Sequence, residues 1–425
     1  MGIIQNLLRD IPIPRMVKVR QKFDAPVVAD YRETLRQEIA KPSVSSKITP
    51  GMRIAVAVGS RGLAELPGIV RVTVEELKKY GARPFIVPSM GSHGGATPQG
   101  QVDVLANLGV TEESAGCPII SSMDVVEVGR LPNGLAVLID RHAYEADGIV
   151  MIARVKAHTA YHGSCESGLA KMLTIGLGKQ RGADSCHAYS FKYMCEFVVE
   201  MAKIKLKQCN ILFGVATVEN AYDQIALIEA VPAEKLIERD QELLPFAKAS
   251  MARLILSKMD VLIVEQIGKD ISGDGMDPNI TGRYPTPYAS GGPDISKLVV
   301  LDLTERTHGN ANGMGPADFT TRKLLNKVDY EITYANALTS AICEPIRIPM
   351  VLDNDREAIM AAIKTCYALD LTKARVVRIK DTLHMGEIYI SEAMLAEAAQ
   401  HPQIEVCGEP EPMQFDDAGN LLGSK

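Results

Sequence analysis

Tryptophan is absent and aromatic side chains make up only 5% of the chain, so the sequence offers no evident wall for stacking bases or sugar rings. The cysteines Cys117, Cys165, Cys186, Cys195, Cys209, Cys343, Cys366 and Cys407 are scattered, with no CxxC pair among them. That spacing argues against a disulfide scaffold or a structural zinc module. It fits free thiols in a reducing compartment, and a cytoplasmic location is expected. No run of about 20 apolar residues is available to span a membrane. The first residues, 1–15, are weakly amphipathic, are broken by Pro12 and Pro14, and lack the basic head and apolar run of a signal peptide. Asn6 stands where a myristoylation sequence favours Ser or Thr. The net charge is −6 with no concentrated basic stripe, which excludes an extended nucleic-acid surface as a first reading. A small anionic substrate needs only one or two local cations, so this balance does not oppose one.

What is present is enough apolar material, 46% of 425 residues, for more than one core. The pattern is that of two α/β domains, expected over 1–250 and 251–425. The boundary falls near 245–258, and the active site is expected in the cleft between the domains. Residues 53–58 (Arg-Ile-Ala-Val-Ala-Val) form a continuous apolar run, as a strand buried on both faces requires. A Gly-containing loop at 59–62 and a helical pattern to Tyr80 follow. Strand 83–88, a second Gly-rich loop at 91–95 and a helix capped by Thr97 repeat the unit. This repetition predicts a largely parallel, doubly wound sheet in the N-terminal domain, with strand-end loops opening on one crevice. A third strand, 148–154, leads into a polar loop at 156–168. The three loops carry Arg61, His93 and His158. Further strands are expected at 209–217, 261–264 and 298–303, with a long helical stretch over 233–258. Helices are expected near 319–327, 333–343 and 355–368, and a surface tail over 408–425.

The segment from Lys156 to His187 packs three histidines, three lysines and five glycines into 32 residues. Glycine at this density lets backbone approach a ligand closely. Lys171 lies in the apolar setting Gly-Leu-Ala-Lys-Met-Leu, where a lysine can serve as nucleophile or tether, or simply snorkel from a helix face. His158 and His162 are four apart, but no glutamate follows the first as in a zinc-protease helix, and both fall in a loop. Taken alone, His187 reads as an ordinary surface or packed histidine.

Gly91-Ser-His-Gly-Gly-Ala-Thr97 resembles the Gly-x-His-x-x-x-Thr loop of the nickel-dependent lactate racemase family. Lys171 in its Ser167-Gly168-x-x-Lys context, with His187 sixteen positions later, is similar to that family's cofactor-bearing segment. The resemblance covers most of 50–190 and is weaker beyond. It implies a soluble isomerase, a racemase or epimerase of a 2-hydroxy acid. A nickel-pincer nucleotide would be bonded covalently to Lys171, with Ser167 and Gly168 around it and His187 on the nickel. One histidine takes the hydroxyl proton as the C2 hydride moves to the pincer ring, and the planar keto acid then receives the hydride on its other face. His93 and His158 are the candidate pair, with His162 an alternate, because imidazoles titrate near neutrality. Arg61 would fork onto the substrate carboxylate, and Lys269, or Gln266 beside it, would close over the substrate from the second domain. His308 and Asn336 stand in further polar segments without an assigned role. Cofactor-maturation proteins are implied as partners; the oligomeric state and the particular acid are left open.

The departures are specific. Ala157 precedes His158, His158 stands thirteen before Lys171, and Val58-Gly-Ser-Arg61 lacks the family's aspartate. They mark a divergent branch, and two other classes stay in view. One is a nucleotide- or metal-dependent α/β enzyme, although 59–62 is not a dinucleotide fingerprint. The other is a non-catalytic hydroxy-acid or sugar-acid binder on the same scaffold.

Overall fold

The computed structural model describes residues 2–60 and 62–422, in two compact units. One unit is Asp24–Met251; the other combines the segment through Phe23 with everything from Ala252 onward. Strand β1 (Met16–Gln21) therefore belongs with the C-terminal half, although the sequence pattern groups it with the first domain.

In the unit Asp24–Met251, β2 (Arg53–Val58) and β3 (Arg83–Pro88) pair in parallel, as the two buried apolar runs require. The antiparallel hairpin β4 (Val125–Arg130) and β5 (Ala136–Asp140) stands apart as a small ribbon. The main sheet continues through β6 (Gly148–Arg154), β7 (Ile211–Glu219) and the antiparallel edge strand β8 (Ile225–Pro232), in the order β3-β2-β6-β7-β8. Helix Leu66–Lys79 buries Ile69, Val70, Val74 and Leu77 in the same core as Val56, Val58, Ile152 and Val215 of the sheet. Each such side chain stabilises the fold by roughly 1.5–3 kcal/mol relative to its exposure. The parallel strands end together, so the loops after β2, β3 and β6 emerge at one edge.

The other unit is built on an eight-stranded sheet. Its strands β9 (Lys258–Ile267), β10 (Asp294–Leu303), β11 (Phe319–Thr321), β12 (Met350–Leu352) and β13 (Val376–Ile379) are parallel neighbours in the order β12-β11-β10-β9-β13. Beyond β13 run β14 (Glu387–Ser391), β1 and β15 (Ile404–Val406), all antiparallel to their neighbours. The stretch expected as a helix from residue 319 opens as β11, and the helix is confined to Arg322–Asn326. The expected surface tail is also corrected. Glu411 exchanges two backbone hydrogen bonds with Met16, and Phe415 and Leu421 pack against a core that includes Ile359 and Ile363.

Among the described residues no helix is long and apolar enough to cross a membrane.

Candidate functional site

After β6 the chain leaves the sheet through a loop organised by one buried carboxylate. Glu166 accepts the backbone N–H of His158 (2.8 Å) and of Gly163 (3.1 Å), and its Oε1 lies 2.6 Å from Lys248 Nζ. Tyr161 Oη donates to the Glu166 carbonyl at 2.8 Å, and Lys156 and Ser167 exchange backbone hydrogen bonds that close the loop. Ser167, expected near a cofactor, thus has a defined structural part as the closing pair of the loop.

Lys171 ends the single helical turn Leu169–Lys171, and a π-turn, Met172–Gly176, follows at once. Single π-turns occur disproportionately at functional sites because they re-aim the side chains beside them. The turn before Lys171 is capped from a distance: Asp240, on helix Leu236–Ser250, accepts from Leu169 N and Ala170 N, both at 3.1 Å. Burial pushes the Asp240 carboxyl up to about 6, against the two N–H groups that lower it. Gly168 is required for this approach, since a Cβ there would fall 2.0 Å from Asp240 Oδ1. Gly168→Ala should therefore cost about 2–3 kcal/mol, read as a lower urea midpoint. Adding Asp240→Ala should recover part of that loss, and additive losses would contradict the clash.

Helix Lys179–Cys186 then delivers His187. His158, Tyr161, Phe191 and His187 gather there. The His158 and Tyr161 ring centroids are 4.4 Å apart, His158 and Phe191 5.8 Å, and His187 meets Phe191 edge-on at 5.2 Å. Two of the few aromatic residues, Tyr161 and Phe191, thus pack against these histidines.

Although both histidines keep some solvent-facing surface, neighbouring atoms crowd their rings. Burial lowers His187 to about 4, and the charge of Lys171 adds to this. Burial likewise holds His158 well below 6.5, with Lys171, His187, Lys156 and His162 contributing. Both imidazoles are neutral at physiological pH. His158 Nδ1 accepts the Ala160 N–H at 3.0 Å, which places the ring proton on Nε2. Among the described residues His187 Nδ1, which is buried, has no hydrogen-bond partner. Such an atom is rare in a folded interior and calls for an explanation.

His93 lies outside this ring cluster, on the exposed loop after β3, but the loop is seated on the π-turn. Gly91 N donates to Gly176 O at 3.2 Å, and a Cβ on Gly91 would meet Ala183 and Ile175 at 3.4–3.5 Å. The loop after β2 touches the same turn, where a Cβ on Gly59 would reach Met172 Cε at 2.8 Å. Arg61 itself lies outside the described residues. Lys171, His158 and His187 thus share one centre, with the His93 loop on its flank.

Lys269 and Gln266 belong to the other unit, at the carboxyl end of β9, where Lys269 Nζ donates to Gly273 O. His308 follows β10 there in a left-handed conformation, and Asn336 bonds to Asn310 and Asn312. Among the described residues no group of three or more His, Cys, Asp or Glu side chains is arranged to hold a metal ion. A metal here would have to draw its remaining ligands from a bound group.

The fold and this centre define an α/β protein with a lysine and an uncommitted imidazole poised beside strand-end loops. Residues 9–194 match the family model described as the lactate racemase N-terminal domain. The lactate racemase apoprotein from Thermoanaerobacterium thermosaccharolyticum has a similar structure. The likeness has a TM-score of 0.52 at 13% identity and covers 86% of this chain and 94% of that one. At that identity it speaks for the fold. No curated protein matches the chain.

Proposed function

We propose that the chain is an isomerase that inverts C2 of a 2-hydroxy acid, with a nickel-pincer nucleotide held covalently by Lys171 and through nickel by His187. The observation that carries this reading is the buried Nδ1 of a neutral His187, without a hydrogen-bond partner among the described residues, beside Lys171. A neutral imidazole has the lone pair a metal needs, and Lys171 is the nearby amine able to form the tether. The residues present therefore fit the group, which when bound supplies a hydride acceptor.

The chain's own side chains do the remaining work. Arg61 binds the substrate carboxylate in bidentate fashion. His93, on the exposed loop, takes the proton from the hydroxyl oxygen and returns it. His158 presents Nε2–H to the same oxygen as a fixed hydrogen-bond donor; it accepts a proton only where the Ala160 N–H now sits, so His162 remains the alternate second base. Tyr161 and Phe191 wall the centre against water, which strengthens each polar contact. Lys269 stands at the edge of its own sheet where α/β proteins bind ligands, and it is a further candidate for a substrate contact.

The test uses protein made together with cofactor-maturation proteins. A panel of C2-deuterated 2-hydroxy acids is incubated and separated chirally. At least one acid is expected to racemise with its deuterium retained at C2. Racemisation with wash-out to solvent would replace hydride transfer by proton abstraction, and no racemisation of any acid would leave a binding protein. Within this scheme His93→Ala should lower kcat by about 10²–10⁴-fold. His158→Gln, which keeps an N–H donor, should be milder than His158→Ala; equal losses would contradict the donor role.

A further inference from the structure

From the bonds around one buried ammonium we infer that Lys179 is the positioning residue that holds the His93 loop in register with the Lys171–His187 segment. Lys179 is fully buried, and its Nζ reaches three elements. It donates to the Pro88 carbonyl at the end of β3 (2.5 Å) and to Gln101 Oε1 (2.9 Å). It also lies 3.3 Å from Asp140 Oδ2 at the end of β5, an ion pair without hydrogen-bond geometry. Gln101, itself fully buried, passes the link on: its Nε2 donates to Gly91 O (2.9 Å) and to His93 O (3.3 Å). The chain of contacts thus runs from the start of the helix that ends at His187, through one ammonium and one amide, to the backbone of His93.

The backbone supports the same reading. Lys179 has φ +54°, a left-handed conformation that side-chain-bearing residues seldom adopt. Glycine would relieve it, yet a lysine stands there, so the side chain has to be what the position keeps. Burial pushes Lys179 down and Asp140 up from their ordinary ranges, and each opposes the other's displacement. A buried pair of this kind is a poor source of stability but an effective device for fixing one arrangement of neighbouring segments.

The geometric claim stands without the racemase reading; its consequence for turnover rests on that reading. Two variants test it. Lys179→Met/Asp140→Asn removes the ammonium without leaving a lone buried carboxylate, and the amide oxygen introduced at position 140 can still accept the Ala143 N–H that Asp140 accepts in the parent. Gln101→Met cuts the arm to the loop, with the Lys179 Nζ–Gln101 Oε1 bond that begins it, and leaves Lys179 on Pro88 O and paired with Asp140. In protein without cofactor, hydrogen exchange over 89–101 should quicken and the His93 imidazole resonance should move, while 169–177 and the His158 resonance stay as in the parent. In loaded protein the Lys171 adduct should persist while kcat falls about 10–100-fold with little change in KM, as expected when a reacting group is misplaced by a fraction of an ångström. Unchanged exchange over 89–101 in folded Gln101→Met would overturn the inference, as would a parental kcat in both variants. If the parent racemises nothing, the function assigned above fails, and the exchange and resonance arms still decide the role of Lys179.

Discussion

Replacing Lys171 by alanine or arginine should lower racemisation by about 10³-fold or more and leave the protein folded. Arginine keeps the positive charge, but its guanidinium cannot replace a primary amine as tether. If Lys171 acted only electrostatically, through its effect on His158 and His187, the arginine variant would keep much of the activity. Loss in both variants points to a covalent role. Stability should change little, because Lys171 is only partly buried and follows a turn capped by Asp240 rather than by its own side chain. Chiral assay of both variants against the parent, with urea unfolding as control, reads this out. A lysine-to-arginine chain that turned over at the parental rate would remove Lys171 from the chemistry.

The second large effect concerns stability. Lys205 is 1% exposed, and its Nζ donates to the carbonyls of Leu173 (2.7 Å) and Thr174 (3.0 Å), both in the π-turn after Lys171. Among the described residues no carboxylate lies within ion-pair range of it. Burial therefore pushes the amine down to about 7, with the Cys209 and Cys186 thiols opposing weakly. A neutral amine has two N–H groups, which match the two carbonyls it meets. Between pH 7 and about 10 the unfolded chain holds a proton here that the folded chain has released. The contribution of this amine to stability then rises with pH over this window, by an amount on the order of 3–5 kcal/mol. Lys205→Met lacks the rise. Urea unfolding at pH 6.5, 8 and 9.5 should show parent and variant diverging as pH increases, the parent gaining relative to the variant. Parallel curves would mean that the amine keeps its proton when folded.

The parts legible in the sequence were those set by local pattern. Strands β2, β3 and β6 run where continuous apolar residues placed them, because a parallel sheet covered on both faces demands such runs. The Thr97 cap followed an equally local signal. What was hidden depends on distant partners. Strand β1 is six residues whose neighbours, β14 and β15, come from the far end of the chain, and nothing nearby announces that pairing. The C-terminal segment read as a tail because its packing partner is Met16. The candidate centre divides in the same way. Lys171 and His158 stood out in one dense segment and His187 through the family resemblance; the structure brings the two histidines around Phe191, with the charge of Lys171 acting on both. Their supports did not stand out. Asp240, Lys205 and Gln101 sit in ordinary helical stretches, Lys179 went unremarked inside the dense segment, and only the folded chain shows each reaching the segment around Lys171 or His93. Glu166 lay inside the segment, but its neighbours in sequence did not reveal that one carboxylate organises the whole loop.

Intact-mass and peptide mass spectrometry of the chain produced with cofactor-maturation proteins, with metal analysis of the same sample, reaches the centre of the account. The expected result is one nucleotide-sized adduct confined to Lys171 with about one nickel per chain, and in His187→Ala an adduct still on Lys171 but with its nickel lost. A chain that racemises its acid with an unmodified Lys171 would contradict the account.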